Sequence, residues 1–304
     1  MSLYDEKLED RRIVLITGSG SPGGNAYWTA RHLITDGFNV VVLASRDLEA
    51  AQACCTAVLE AVGDDAPRGL RVLPLRLSGA DKTEHAEALR ILTQELRVQH
   101  LDALVNNEST TSVAAAYRAG YMPTSMPPKP SPTALYRQLG LCSGADLLAL
   151  TAHNVSSVIE ITNLFLPHLA RSPSGAACVV NLVSPRCSTA GAAKSSAAAL
   201  GTMAFDASQA ALAMVCAYQT AHLSAYRIRL NGASRGFGAE HDRYDGGRSV
   251  EAGSRVVAWL CTARWDETGA ALTGTLLCDH QGDLERRNAE EPDPSRWRFA
   301  RLDW

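Results

Sequence analysis

Lysine is scarce in this sequence. Of its 29 basic residues only four, Lys7, Lys82, Lys129 and Lys194, are lysines. Any mechanism that needs a lysine therefore has four candidates, and none lies beyond residue 194. Long apolar runs are missing too: no 18 consecutive apolar residues occur, so no segment is expected to span a bilayer. Charge of one sign is lacking, at a net −3 over 304 residues. Nucleic acid and anionic membrane surfaces require a cationic field, so neither is an expected partner. The eight cysteines form no C-x-x-C pair and no Cys/His cluster at zinc spacing, so no metal centre is expected. Several lie in apolar runs, such as Cys178 in AACVVNLV and Cys216 in LAMVCAY, where a free thiol behaves as a small hydrophobe. That usage suits an intracellular, reducing compartment, and a cytoplasmic location is expected. MSLYDEKLEDRR mixes acids with bases and has no apolar stretch, so no export signal is expected.

What is present is a strand–helix alternation. Ile13–Ile16 reads as a buried strand, NAYWTARHLITDG as a helix ended by Gly37, and FNVVVL (38–43) as the next strand. A helix from Asp47, a strand over 70–77, a helix from Glu84 and a strand over 101–105 continue the pattern. About 30 residues per unit argue for βαβ crossovers and a doubly wound parallel sheet, an α/β Rossmann-type fold. A Pro-rich segment over 108–150 interrupts the pattern and reads as neither helix nor central strand there. Alternation resumes with a helix over 154–170, a strand over 178–183, an Ala-rich helix over 205–226, a short strand over 228–230, a helix over 250–262 and a strand over 275–278. The Arg-, Glu- and Pro-rich tail, 284–304, reads as an extension outside the sheet. The expectation is one domain over 1–304, with its core at about 12–283.

Between the first strand and first helix stands TGSGSPGG (17–24). Glycines there let backbone N–H groups approach a pyrophosphate at the helix N-terminus. Gly18, Gly20, Ser21 and Gly24 are the candidate contacts. Pro22 removes one N–H; alternatively the loop runs two residues longer and the helix opens at Gly24-Asn25-Ala26. Ser45 and Arg46 follow the second strand, where a small polar residue and an arginine suit the 2′-phosphate of NADP better than the ribose hydroxyls of NAD. Arg46 as a solvated surface charge is the alternative.

With these landmarks the chain resembles the short-chain dehydrogenase/reductase superfamily over about residues 12–282. TGSGSPGG is similar to its T-G-x-x-x-G-x-G, and LVNNES to its N-N-A-G strand end, with Asn106 and Asn107 in place. HNVSS aligns Asn154 with the helix asparagine, VVNLVS aligns Ser184 with the catalytic serine, and AYRIRLNGASRG keeps Asn231 and Gly236. LTGTLLCDHQG resembles the closing T-G-x-x-x-x-V-D-G-G. Within the superfamily, the long insert, ADLLALTAHN and RLNGAS are most similar to pteridine reductases. The resemblance implies NADP(H) at Gly18, Gly20, Ser21, Gly24, Ser45, Arg46, Asn106 and Gly236, and catalysis at Ser184 and Asn154. It also implies a homodimer or homotetramer through the helices at 154–170 and 205–226. The insert and the tail add a surface for a protein partner.

The family's Y-x-x-x-K motif is broken. Its place is held by Phe205-Asp206-Ala207-Ser208-Gln209, followed by AAL as in the family. Leu3, Ser78, Ser125 and Ala190 stand four residues before the four lysines, so no shifted Y-x-x-x-K exists. Loss of a positioned general acid costs ~10²–10⁴-fold in rate. Loss of the neighbouring cation removes stabilisation of the developing alkoxide. Other family positions also differ: Arg76 stands where an adenine-binding aspartate is usual, Glu108-Ser109 replaces Ala-Gly, and Arg235 replaces a proline. The expectation is a non-catalytic binding or structural subunit, with NADP(H) bound or lost. The alternative is an active NADPH-dependent reductase of a pterin, carbonyl or imine that uses a non-standard donor such as Ser184. Asp206, His153 and Lys194 are lesser substitute candidates, and Tyr117, Tyr121 and Tyr136 could line a pocket.

Overall fold

The computed structural model describes residues 11–79, 82–108, 142–184, 187, 203–234, 249–263, 273–278 and 300–302. Eight strands form one sheet: β1 Ile13–Ile16, β2 Val40–Ser45, β3 Arg71–Arg76, β4 Ala103–Asn106, β5 Cys178–Leu182, β6 Arg229–Ser234, β7 Leu276–Cys278 and β8 Ala300–Leu302. Their order is β3-β2-β1-β4-β5-β6-β7-β8, with β1 to β7 parallel. The chain winds outward from β1 in one direction and from β4 in the other. The crevice between their carboxyl ends is the switch point at which open α/β sheets bind ligands.

Seven α-helices flank the sheet among the described residues: α1 Asn25–Thr35, α2 Leu48–Val62, α3 Lys82–Arg90, α4 Gly144–Thr151, α5 Ser157–Leu169, α6 Met203–Ser224 and α7 Val250–Thr262. The two-residue period of the strands divides the core into two layers. Ile13, Leu15, Val40, Val42, Leu104 and Val179 pack against Leu92 beyond α3, Ile161 and Phe165 of α5, and Leu212 and Cys216 of α6. The alternate residues Val14, Ile16, Val41, Leu43, Val105 and Val180 pack against Ala30 and Leu33 of α1, Val58 of α2 and Val257 and Leu260 of α7. Strands that read as unbroken apolar runs are buried on both faces, as a parallel sheet requires.

Three sequence expectations are corrected. The last part of the 108–150 segment is helical: α4 begins at Gly144 because Ser143 and Asp146 form a reciprocal capping box. The chain then continues through a π turn, Ala152–Ser156, into α5, so the helix expected from 154 starts ten residues earlier. The tail does not lie wholly outside the sheet, because β8 pairs antiparallel with β7 in the register Leu277↔Arg301. An antiparallel last strand covers the edge that β7 would otherwise leave open. Strand β6 is also longer than the expected 228–230, running from Arg229 to Ser234 because its residues pair along β5. The prolines of the insert, and Tyr117, Tyr121, Tyr136, Lys194, Arg235 and Gly236, lie outside the described residues.

Candidate functional site

The Gly-rich turn is held from below by the sheet ends. Thr17 N–H donates to Val105 O (3.0 Å), and Ser19 N–H to Ala44 O (3.0 Å). Gly18 has φ +65°, and a Cβ on it would come within 2.7 Å of Asn107 O, so only glycine fits between the ends of β1 and β4. A Cβ at Gly20 or Gly23 would meet nothing, which leaves the outer side of the turn open. Helix α1 starts at Asn25 with Gly24 as its N-cap and no side-chain cap. That start matches the longer-loop alternative. Among the described residues no side chain caps this helix start, which suits a phosphate seat.

Ser45 is buried at the end of β2, and its Oγ accepts from Asp47 N–H (3.2 Å). Asp47 in turn caps α2 through Glu49 N–H and Ala50 N–H. Arg46 between them is exposed. Its guanidinium acts on Glu108, beyond β4, and on His153, in the π turn before α5. Burial pushes the Glu108 carboxyl up to about 7, against the pull of Arg46. Burial lowers the His153 pKa; its bond with Asn154 opposes that shift, and Arg46 reinforces it. Arg76 does not fill an adenine pocket: it pairs with Glu84 of α3 at 2.7 Å.

Asn106 does not present its amide to the turn. The side chain is buried, and Nδ2 donates to Thr162 Oγ1 (3.1 Å) and Asn181 Oδ1 (2.8 Å). Asn107 makes the contact instead: its N–H donates to Thr17 Oγ1 (3.1 Å) and its Nδ2 to Gly18 O (3.3 Å).

Asn154, Phe205 and Gln209 are brought together with Ser184 at the end of β5, but their groups are committed to one another. Asn154 is fully buried, and its Nδ2 donates to Ser208 Oγ (2.9 Å). Ser208 Oγ–H donates to Phe205 O (2.7 Å). Phe205 packs in a small apolar cluster with Ala149 and Leu150 of α4 and Ala204. Gln209 is 1% exposed, and its Oε1 accepts the Ser184 backbone N–H at 2.8 Å. Its Nε2 is buried with no partner. Ser184 itself is half-buried and Asp206 half-buried beside Phe205. Sequence reasoning missed the role of Gln209 as an acceptor for the end of β5, and that of Ser208 as a link between helices. The uncharged amide of Gln209, in the F-D-A-S-Q segment, was the available signal.

At the phosphate end of this crevice, the open side of the turn at Gly20 and Gly23, the start of α1 and the exposed Arg46 are the groups that a phosphate-bearing ligand would meet. At the other end, among the described residues, stand the phenyl ring of Phe205 and the hydrogen-bonded amide of Gln209.

Residues 2–66 match the family described as YjeF-related protein N-terminus. The bifunctional NAD(P)H-hydrate repair enzyme Nnr of Salinibacter ruber is 34% identical over 122 residues, 37% of this chain and 20% of that protein. The chain thus spans about a fifth of that relative's length. Among solved structures, the NADH-dependent reductase A1-R′ complexed with NAD matches with TM-score 0.61 and 19% identity, over 88% of this chain and 94% of the other. A metagenomic short-chain oxidoreductase in complex with NADP matches with TM-score 0.56 and 18% identity, over 83% and 91%. This is the Rossmann-type α/β fold of the short-chain reductases, carried over most of the chain. Among the described residues no helix is long and apolar enough to cross a membrane, and no cluster of His, Cys, Asp or Glu could hold a metal ion.

Proposed function

We propose that this chain binds a nicotinamide dinucleotide, NADP(H) by preference, and works as a binding or structural subunit without the usual reductase chemistry. One observation carries the reading: Phe205 is packed into apolar surroundings, and the neutral Gln209 is spent on Ser184 N–H. Neither can pass a proton or hold a developing alkoxide. When bound, the cofactor would supply a hydride; the chain's own residues would bind and orient it. Gly18 and the α1 N-terminus would seat the diphosphate, and Arg46 would meet a 2′-phosphate. Gly20, Ser21 and Gly24 would line the turn, and Ser45 would hold the end of β2 in place. The names of the relative and of the solved structures all concern nicotinamide nucleotides, which agrees with this reading. Fluorescence titration with NADPH and NADH tests it. Tighter binding of NADPH, with the difference abolished in Arg46→Ala, is expected; no binding of either would overturn it.

A second reading is an active NADPH-dependent reductase, pteridine reductase-like, with Ser184 as proton donor and Asn154 bracing the helix. The half-buried Ser184 beside the unpartnered Gln209 Nε2 favours it.

Self-association through α5 and α6 belongs to the same proposal. Met203, Met214 and Tyr218 lie exposed along α6, spaced as one apolar stripe, with small Ala207, Ala210 and Ala217 between them. Met214→Arg should halve or quarter the mass seen in sedimentation, and a monomeric parent would refute it. A protein partner for the insert and tail remains part of the proposal, with co-purification of the full chain and of tail-deleted chain as its test.

A further inference from the structure

The crevice between β1 and β4 contains an acid that neither reading uses. Asn107 is fixed against the Gly-rich turn through Thr17 Oγ1 and Gly18 O, and its carbonyl abuts Gly18. Glu108 is the next residue, half-buried at the mouth of the switch-point crevice. Arg46 stands at the end of β2, on the other side of the same turn, because β2 and β4 are the two neighbours of β1. The two opposite charges therefore straddle the seat where the phosphates of a dinucleotide would cross. His153 lies within the field of Arg46, and burial keeps its imidazole neutral near pH 7, so Arg46 is the cation that faces the acid. Arg46 alone does not neutralise Glu108: burial dominates, and the carboxyl titrates at about 7.

We propose that Glu108 is an electrostatic gate on this crevice: ionised, its carboxylate opposes the diphosphate that Arg46 and the α1 N-terminus attract, and protonated it admits it. The gate rests on reading the crevice as a dinucleotide site. A like charge at the rim of a partly desolvated cleft, with salt screening, is worth about ten-fold in affinity. The sign follows from the raised carboxyl: affinity is highest below the Glu108 value and falls as pH rises through it.

The test is fluorescence titration of the full-length parent, Glu108→Gln and Glu108→Ala with NADH and NADPH, at about one pH unit either side of 7. NADH isolates the gate, because a 2′-phosphate itself titrates near ~6. The parent should bind NADH about five-fold more weakly at the higher pH, because the carboxyl is only partly titrated at either pH. Both variants should bind about five-fold tighter than the parent there, with a flattened pH dependence. If only NADPH binds, the ratio of variant to parent at the higher pH carries the same reading. Binding by a variant where the parent shows none would support the gate. Equal affinities and equal pH dependence in all three proteins would overturn the gate and leave the dinucleotide site standing. Weaker binding in the variants would overturn it by making Glu108 a ligand. Absence of binding in all three would overturn both. The two substitutions differ in shape, so agreement between them separates loss of charge from local misfolding.

Discussion

Replacing Gln209 by lysine introduces the cation that the family resemblance leads one to expect, yet it should make the protein less stable. Gln209 is 1% exposed, and its Oε1 accepts the Ser184 N–H at 2.8 Å. An ammonium group has only donors. The substitution therefore removes a hydrogen bond of about 1 kcal/mol and takes this acceptor from the amide, for a combined cost of about 1–3 kcal/mol. Burying the ammonium adds several kcal/mol unless the group deprotonates. A total of about 3–5 kcal/mol at neutral pH would be a large part of a domain's ordinary 5–15 kcal/mol. The pH dependence has a definite sign. A lysine whose folded-state pKa is depressed destabilises fully below that value, and the loss shrinks as pH rises towards the unfolded value near ~10.4. Urea unfolding followed by circular dichroism at neutral and alkaline pH measures both. Gln209→Met, of similar size and uncharged, should cost only about 2 kcal/mol and show no such slope. A lysine variant as stable as the parent at pH 7 would refute the role assigned to Gln209.

Other perturbations follow from the same geometry. Gly18→Ala combines a left-handed backbone, φ +65°, with a Cβ 2.7 Å from Asn107 O, and should cost about 2–4 kcal/mol in chemical unfolding; a cost below about 0.5 kcal/mol would contradict the tight fit. His168 is 5% exposed, neither ring nitrogen has a partner, and it meets Phe165 edge-on at 6.0 Å. Burial, then Arg171 and His100, hold its pKa below 6.5, so the unfolded chain takes up the proton first and stability falls as pH drops below that value. His168→Phe should flatten part of this acid loss in a pH series of unfolding curves, and an unchanged slope would refute it. Deleting residues 299–304 removes β8 and opens the edge of β7, so a loss of about 1–3 kcal/mol and increased light scattering are expected; a shortened chain matching the parent in both would make the strand incidental.

Most of the sheet was readable because a doubly covered parallel strand leaves an unambiguous trace. Runs such as IVLI and VVVL have no polar face, and the Gly-rich turn marks where the first one ends. Boundaries moved where pairing with a neighbour extends a strand, as in β6, which runs four residues further along β5 and β7 than the apolar run. Helix α4 was obscured by its surroundings: the five prolines of 108–150 all precede Gly144, while the capping box at Ser143 and Asp146 was present in the sequence. Strand β8 left no apolar run, because Ala300, Arg301 and Leu302 form a short edge strand specified by its pairing with β7. At the site, residue types did not reveal which groups the side chains engage. Asn106 and Asn107 are adjacent, and only the fold shows that the second touches the turn while the first bonds to Thr162 and Asn181. That Phe205 carries no hydroxyl and Gln209 no charge was visible from the sequence alone. That Phe205 would be buried against α4 was not, because that contact depends on a helix placed outside the expected pattern.

The central claim is that the dinucleotide site and the proton relay have been separated, and one experiment reads both. The full chain would be titrated with NADPH, and oxidation then followed at 340 nm, the ordinary absorbance of the reduced nicotinamide, with dihydrobiopterin, folate and quinones as acceptors. The account predicts saturable NADPH binding with no substrate-dependent oxidation, at least ~10²-fold below an ordinary turnover of about 1 s⁻¹ or more. Substrate-dependent oxidation at about 1 s⁻¹ would contradict it.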